Sequence, residues 1–455
     1  MHLPLGQFNK KLGADFWNSR VRTLDNKLVV FLYRALQAGV GALSLIFCLK
    51  YLPPADFGTY QSMVNFASLS NIIDLGMLLV LSQLVAGRIS IADSAVIPSD
   101  LSDKLGELAP ALPLIRTAFL WCIIAGCLLL TLIPFGIFFF DKDGQSLSGA
   151  WVGPWVLLIA VTALQIPLSC LMSGLEGASE LNKVYMTRLL GLSLGGITTW
   201  ACLIMGGGMW AAAMMPLLLL LSQLLFLWRS FPAYCSGVFK SSYLPFRVWR
   251  EGVWPFQWRS AMSWLSGYGQ MFIHVPVVYH YCGAADAGRL GATITLVNTV
   301  SVLALAIPTS QTPQLIRHAT MGQRESLAHL YRKVFRQSVS LYLMGGALLA
   351  GLVWCLQATP WHERLLPLDQ LMVLLFGVGF YHVACVLGVY VRVHLQDPMA
   401  KLVLLVAFMT AVLAAWGSRK FGPAGVVWAM LLVNMLVHWP LALRYRYAFD
   451  RRISG

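Results

Sequence analysis

The chain has 455 residues, of which 58% are hydrophobic and 11% are charged, and its formal net charge is +14. Soluble domains contain roughly 25% charged residues. This composition therefore excludes an ordinary soluble enzyme or binding module and indicates a membrane protein. The sequence contains no P-loop, no nucleotide-binding glycine motif and no run of residues at metal-ligand spacing.

Apolar segments long enough to cross a bilayer recur along the whole chain. At a rise of about 1.5 Å per residue, roughly 20 residues cross a hydrocarbon core of about 30 Å, whereas the strands of a membrane barrel would have about 10 residues of alternating polarity. The sequence therefore predicts an all-α polytopic membrane protein. We place twelve transmembrane helices at 28–49, 59–86, 115–140, 152–175, 184–206, 209–229, 253–281, 289–312, 336–358, 367–391, 401–417 and 424–443.

Lysine and arginine residues fall mostly in the loops on one side of these spans. That side carries 25 of the 33 basic residues and the other side carries 6, while Arg34 and Arg259 lie inside spans. Loops rich in Lys and Arg face the cytoplasm. An even number of spans then places both termini in the cytoplasm. The positive charge is expected to face anionic lipid, and no nucleic-acid partner is expected.

A short motif repeats at equivalent places in the two halves of the chain. The stretches "LPPADFGTYQ" and "CGAADAGRLG" both contain Ala-Asp-x-Gly, and each lies in the first extracytoplasmic loop of its half. Asp-x-Gly is typical of a tight turn in which the glycine has positive φ. Two halves of six spans have the same orientation, so a parallel pseudo-two-fold repeat relates them.

The repeat and the loop charges together predict five regions. We divide the chain into a cytoplasmic tail (1–27), an N-terminal lobe (28–232), a basic cytoplasmic connector (233–252), a C-terminal lobe (253–443) and a basic cytoplasmic tail (444–455).

Two of the predicted spans carry a stripe of polar residues at helical spacing. In span one the stripe includes Arg34 and Gln37. In span seven the stripe consists of Arg259, Ser263, Ser266, Gln270 and His274. An arginine near the centre of a membrane helix costs on the order of 3 kcal/mol and is a candidate functional residue. Snorkelling of the arginines and bonding between helices by the polar side chains would explain the same pattern.

Span two adds further polar candidates. Gln61 and Asn65 extend the polar lining, and Asp74 is an acid in the middle of the span. Asp74 could bind a coupling ion or proton, pair with an arginine, or bond to a neighbouring helix. His274 could titrate or could be a hydrogen-bonded structural residue, and His382 is expected to be structural.

The stretch "YLPPADFGTYQSMVNFASLSNIIDLGMLLVLSQLVAGRIS" resembles the signature region of the multidrug/oligosaccharidyl-lipid/polysaccharide (MOP) exporter superfamily, in its branch of O-antigen-type flippases for lipid-linked oligosaccharides. The pair Leu75-Gly76 lies late in the span and Arg88 follows. The stretch "PQLIRHATMGQRESLAHLYRKVFRQ" is similar to the amphipathic cytoplasmic linker of that branch. The resemblance implies two six-helix lobes around a central cleft, lined mainly by spans one, two, seven and eight.

The same resemblance implies a transporter and not an enzyme, located in the inner membrane of a bacterium. Its substrate would be an oligosaccharide on a polyprenyl diphosphate. Arg34 and Arg259 would hold the diphosphate, with Gln37, Ser263, Ser266, Gln270, Gln61 and Asn65 as further substrate contacts. No cofactor is expected, and coupling to H⁺ or Na⁺ is left open. A polysaccharide polymerase, chain-length-control proteins and membrane lipids are the implied partners.

The sequence leaves two alternative functions open. A multidrug or cation antiporter of the same superfamily should have acids deep in spans one or seven, and neither span has one. A polytopic polysaccharide polymerase or lipid-linked glycosyltransferase should have a large extracytoplasmic loop or paired acids near a donor site. The outward loops of this chain are short.

The topology can be tested by labelling single cysteines. In a variant without its native cysteines, Gln323→Cys beside Gly322 should resist a membrane-impermeant maleimide in intact cells, and Gln145→Cys beside Gly144 should react. Permeabilised cells, in which both positions should react, provide the control. Equal labelling of both positions in intact cells would contradict the twelve-span topology.

Overall fold

The computed structural model describes residues 26–92, 109–141, 150–178, 180–393 and 400–454, and all regular elements in these ranges are helical. Ten helical stretches of this described part are long and apolar enough to cross a membrane, and they match ten of the predicted spans. The other two predicted spans coincide with the helix Asn26–Tyr51 and with the helix pair Trp254–Met271 and His274–Cys282. The prediction of an all-α polytopic membrane protein is confirmed.

The helices of the N-terminal part are α1 (Asn26–Tyr51), α2 (Pro54–Ala67), α3 (Ser70–Ile73), α4 (Met77–Ala92), α5 (Leu112–Leu130), α6 (Leu132–Phe140), α7 (Val152–Gly177), α8 (Leu181–Ile204), α9 (Ala211–Ser230) and α10 (Pro232–Lys240). Those of the C-terminal part are α11 (Trp254–Met271), α12 (His274–Cys282), α13 (Ala284–Thr320), α14 (Arg324–Leu356), α15 (Leu368–Arg392), α16 (Ala400–Phe421), α17 (Pro423–Val433) and α18 (Trp439–Ser454). Short helical turns (Phe246–Val248 and Trp249–Val253) lead into α11, and a π-helical turn (Asn434–His438) joins α17 to α18.

The first of two compact units contains the described residues up to Phe47 and the segment Leu69–Ala261. In this unit α7 packs against α4, α5 and α9, and α8 packs against α9. The core is built around Trp155, which is fully buried and donates from Nε1 to the carbonyl of Ile133 at 3.1 Å. Gly136 lies under the ring of Trp155, where a Cβ atom would clash.

The predicted connector is docked against this first unit. Tyr234 of α10 is buried, and its hydroxyl donates to the carbonyl of Leu171 at 3.0 Å. Burial raises the pKa of the Tyr234 phenol, so it remains a donor at neutral pH. The backbone N–H of Leu244 donates to Thr117 Oγ1 at 2.8 Å. These bonds fix both ends of the 232–244 segment on α5 and α7.

The second unit contains Cys48–Ser68 and the chain from Met262 onwards. In it α13 packs against α2, α12, α14 and α15, and α16 packs against α17. The Cys48–Ser68 segment comes from the predicted N-terminal half but packs with helices of the C-terminal half. Arg364 Nη1 donates to the carbonyl of Leu52 at 2.7 Å, which ties this segment to its neighbours.

The two copies of the Ala-Asp-x-Gly motif pack against each other within the second unit. Each copy forms the first turns of a helix, α2 or α13. A Cβ atom on Gly58 would overlap the carbonyl oxygen of Ala284, and one on Gly288 would lie 3.1 Å from the carbonyl oxygen of Pro54. Small residues allow such close helix crossings in membranes.

This packing corrects the sequence-based interpretation of the motif. The expectation of a tight turn with positive φ at the glycines is wrong, because Gly58 and Gly288 are helical and neither is among the residues with positive φ. The motif aspartates, Asp56 and Asp286, lie in the first turns of their helices, where the helix dipole favours a negative charge. The glycines are needed for close approach, and the aspartates suit a helix start.

The close crossing makes a prediction about stability. Gly58→Ala should lower the free energy of unfolding by about 1–3 kcal/mol, because the added methyl group must push α2 away from α13. Gly351→Ala is the matched control, since a Cβ atom there meets no atom within 4 Å. The midpoint of thermal unfolding should be lower for purified Gly58→Ala than for purified Gly351→Ala. Equal stability of the two variants would contradict the close contact.

Candidate functional site

Predicted span two is interrupted within the first unit. α3 ends at Ile73 and α4 begins at Met77, and the two residues Leu75 and Gly76 between them have φ values of 54° and 69°. A leucine with positive φ is unusual and strained. The pair that resembles the family signature is therefore the point at which the helix breaks.

Asp74 bonds to the backbone that this break exposes. Its carboxylate accepts a hydrogen bond from the N–H of Gly76 at 3.0 Å and a longer contact from the N–H of Leu78 at 3.5 Å. Trp121 Nε1 donates to the backbone carbonyl of Asp74 at 3.1 Å. Because free N–H groups are costly in hydrocarbon, an acid that caps the start of α4 stabilises the break. The sequence analysis did not consider this role for Asp74.

Predicted span seven is also interrupted, within the second unit. α11 ends at Met271 and α12 begins at His274, so the predicted stripe does not lie on one straight helix. Arg259, near the start of α11, is exposed, whereas Ser266, Gln270 and His274 are buried. Residue 263 lies in α11, but its side chain is outside the described set.

The buried polar residues of α11 and α12 bond to their own surroundings. Ser266 Oγ donates to the carbonyl of Met262 at 2.7 Å, and Gln270 Nε2 donates to Thr410 Oγ1 of α16 at 3.0 Å. His274 Nε2 lies 3.0 Å from the backbone carbonyl of Gln270. A carbonyl only accepts, so Nε2 carries the proton and Nδ1 is left as an acceptor.

Residues of span two and span seven meet in this unit. Tyr268 of α11 donates from its hydroxyl to the carbonyl of Asn65 in α2 at 3.1 Å. Gln61, one turn earlier, contacts Gly291 of α13. We call Ser62, Asn65, Tyr268, Gln270, His274 and Thr410 the neutral polar cluster, because all six are buried in the second unit and their side chains are hydroxyls, amides and one imidazole.

Two atoms of the neutral polar cluster have unused bonding capacity. Ser62 Oγ and His274 Nδ1 are buried and have no hydrogen-bond partner among the described residues. His382, elsewhere in the same unit, provides a contrast. Its Nδ1 and Nε2 lie 3.2 and 3.0 Å from Ser301 Oγ and Ser338 Oγ. Both ring nitrogens of His382 are therefore bonded within the protein, whereas only Nε2 of His274 has a partner among the described residues.

The predicted site residues of span one lie in the first unit. Arg34 lies in α1, but its side chain is outside the described set. Gln37 is exposed, and Ser44, two turns further along α1, accepts a hydrogen bond from Trp200 Nε1 at 3.0 Å. The pairing of Arg34 with Arg259 stays a prediction.

Three members of the neutral polar cluster were not predicted from the sequence: Ser62, Tyr268 and Thr410. Tyr268 lies between stripe positions, so spacing on one straight helix gave no signal for it. Thr410 bonds to Gln270 from a helix 140 residues further along the chain. The histidines, cysteines and acids of the described ranges form no group that could hold a metal ion.

Comparison with known proteins identifies the fold. No protein-family profile and no curated protein matches the chain, but solved structures do. An inward-facing multidrug resistance MATE family transporter of the MOP superfamily is 16% identical, with a TM-score of 0.63 over 91% of this chain and 96% of that chain. Lipid II flippase MurJ in an inward closed conformation is 14% identical, with a TM-score of 0.63 over 92% of this chain and 87% of that chain.

A third solved structure, a MOP superfamily transporter from Pyrococcus furiosus, is 14% identical, with a TM-score of 0.58 over 93% of this chain and 95% of that chain. The chain therefore shares the all-helical fold of these membrane proteins. That fold is the one of the MOP exporter superfamily, as the sequence resemblance predicted. The similar structures include both drug transporters and a lipid flippase, so the fold alone leaves the substrate open.

The helix break gives a prediction for Asp74. Asp74→Ala should lower the free energy of unfolding by about 1–2 kcal/mol, whereas Asp74→Asn should keep most of the stability, because asparagine also accepts a hydrogen bond from a backbone N–H. Asp141→Ala, which removes an exposed carboxylate in the same unit, is the control. Thermal unfolding of the purified variants should give a lower midpoint for Asp74→Ala than for Asp74→Asn or Asp141→Ala. If Asp74→Asn were as unstable as Asp74→Ala, the charge and not the cap would be needed.

Proposed function

We propose that the chain is a flippase that translocates a polyprenyl-diphosphate-linked oligosaccharide across the inner membrane of a bacterium by alternating access. The observation that carries this proposal is the chemistry of the neutral polar cluster. Its buried amide, hydroxyl and imidazole groups suit the hydroxyl groups of a sugar, and His274 Nδ1 and Ser62 Oγ, which have no protein partner among the described residues, would bond them in a conformation that exposes these atoms.

The charge of the buried residues supports a sugar substrate over a cation. Among the described residues, Asp74 is the buried acid, and its carboxylate bonds to the backbone of α4. A binding site for lipophilic cations or coupling protons usually needs a buried carboxylate that can exchange its partner. The Asp74 carboxylate is already bonded to the backbone. Among the described residues, no other buried acid is present to neutralise a cation bound at the neutral polar cluster.

A multidrug transporter is the second candidate function, and the fold similarity favours it as much as it favours a flippase. The Pyrococcus furiosus transporter is described as having a binding pocket of reverse polarity, which suggests a different function for that protein. By analogy with that transporter, we take the charge of the lining as the guide to the substrate class of the present chain. Neutral amides and hydroxyls, with arginines in addition, favour an anionic sugar lipid for the present chain.

The diphosphate is assigned to the two arginines within the predicted spans. A guanidinium group remains charged at physiological pH and donates paired hydrogen bonds to phosphate oxygens. Arg259 is exposed at the start of α11, which leaves its guanidinium accessible to a ligand. Arg34 is proposed as the second contact. The oligosaccharide would lie against the polar side chains while the polyprenyl chain remains in lipid, and coupling to H⁺ or Na⁺ stays a proposal.

A binding experiment separates the two candidate functions. The purified protein should bind a polyprenyl-diphosphate-linked sugar more tightly than a lipophilic cation such as tetraphenylphosphonium. Arg259→Gln and Arg34→Gln should each weaken sugar-lipid binding by about ten- to a hundred-fold, because each removes a charge-assisted hydrogen bond worth about 1.5–3 kcal/mol.

Arg247→Gln is the matched control, since Arg247 is exposed and pairs with Glu251 on the segment that leads into α11. This variant should bind like the wild type. Tight binding of the cation together with unchanged sugar-lipid binding in both Gln variants would overturn the flippase proposal and favour the multidrug transporter.

A further inference from the structure

A second site for an anion lies in the second unit, away from the neutral polar cluster. A cavity of about 310 Å³ opens beside the N-terminal part of α14 and is lined by His329, Tyr331, Arg332, Phe335, Arg336 and Arg446. The lining thus combines three guanidinium groups and an imidazole with two aromatic rings. The proposed transport function does not use this cavity.

Aromatic rings hold one of these arginines in place. The guanidinium of Arg446 lies over the rings of Tyr331 and Tyr390, 4.8 and 5.0 Å from their centroids. Tyr331 is itself fixed, because it is buried and its hydroxyl donates to the carbonyl of Val386 at 3.2 Å. Cation–π contacts to both rings position the Arg446 charge on α18 beside α14.

The other two arginines add charge from α14. Arg332 and Arg336 lie one turn apart on this helix, and both are exposed. Like charges at this spacing repel each other and destabilise the helix. Together with Arg446, they bring three positive charges to one cavity. An anion bound there would relieve the repulsion and accept several charge-assisted hydrogen bonds at once.

The continuation of α14 indicates that the anion belongs to a lipid. Leu343 follows Arg332 and Arg336 on the same helical face, and it is 62% exposed. It lies about 10 Å further along the helix than Arg336, at a rise of about 1.5 Å per residue. The neighbouring Met344 and Leu348 are also exposed. A molecule with its phosphate at the arginines would therefore have an apolar surface for its acyl chain.

We propose that the cavity beside α14 binds the phosphate headgroup of an anionic phospholipid, with an acyl chain along the exposed face that begins at Leu343. The predicted start of span nine at residue 336 agrees with this arrangement, because it places the arginines at the level of the headgroups. A basic pocket between membrane helices on the cytoplasmic side suits such a ligand.

The test uses the purified full chain and three probes: phosphatidylglycerol, the zwitterionic phosphatidylethanolamine, and inorganic phosphate. The wild type should bind phosphatidylglycerol at least about tenfold more tightly than phosphatidylethanolamine. The double variant Arg332→Gln and Arg336→Gln should lose about tenfold or more of its affinity for phosphatidylglycerol. Lys333→Gln is the matched control, because Lys333 is an exposed neighbour on α14 that does not line the cavity.

The fold of each variant is checked by its thermal unfolding, and Arg446→Lys provides an independent variant that keeps the charge but not the planar stacking. Arg446→Lys should bind phosphatidylglycerol more weakly than the wild type. Equal binding of the two lipids, or an equal loss in Lys333→Gln and the double variant, would overturn the proposal. Binding of inorganic phosphate that exceeds binding of phosphatidylglycerol would assign the cavity to a soluble anion instead.

Discussion

In the hydrocarbon core of a bilayer, each backbone N–H and C=O group must find a partner within the protein, because an unbonded group costs several kcal/mol there. A continuous helix meets this requirement by itself, and an interrupted helix needs a substitute. Span two is interrupted at Leu75 and Gly76, where the Asp74 carboxylate accepts hydrogen bonds from the exposed N–H groups. Polar residues in these spans are therefore partly structural, and their roles must be separated from ligand binding.

The same constraint explains where the neutral polar cluster lies. Span seven is interrupted between Met271 and His274, and two members of the cluster, Gln270 and His274, flank this interruption. Gln270 and His274 use part of their bonding capacity within the protein, through Thr410 and a backbone carbonyl. Two further atoms, His274 Nδ1 and Ser62 Oγ, have no hydrogen-bond partner among the described residues. His274, one of the two residues with an unpartnered buried atom, thus lies directly at the interruption of its helix.

Much of the fold could be predicted from the sequence because membrane spans are set by length and hydrophobicity, which are local properties. The interruptions were missed, since Leu75 gives no local signal for positive φ and the span-seven stripe was placed on one straight helix. The packing of Gly58 against Ala284 was also missed. A glycine in a sequence shows that close approach is allowed, but its partner, 226 residues away, is fixed only by the tertiary structure. Tyr268 and Thr410 were missed for the same reason, because their partners are also fixed only by the tertiary structure.

The fold does not single out one substrate, because similar structures include drug transporters and a lipid flippase. The central claim is that this chain moves a sugar diphosphate lipid. The most direct measurement reconstitutes the purified protein in liposomes that carry a polyprenyl-diphosphate-linked oligosaccharide, and follows its exposure to a sugar-modifying reagent added outside. The account predicts exposure of the inner-leaflet sugar at a rate well above that of protein-free liposomes. A rate equal to that of protein-free liposomes, together with transport of a lipophilic cation in the same vesicles, would contradict it.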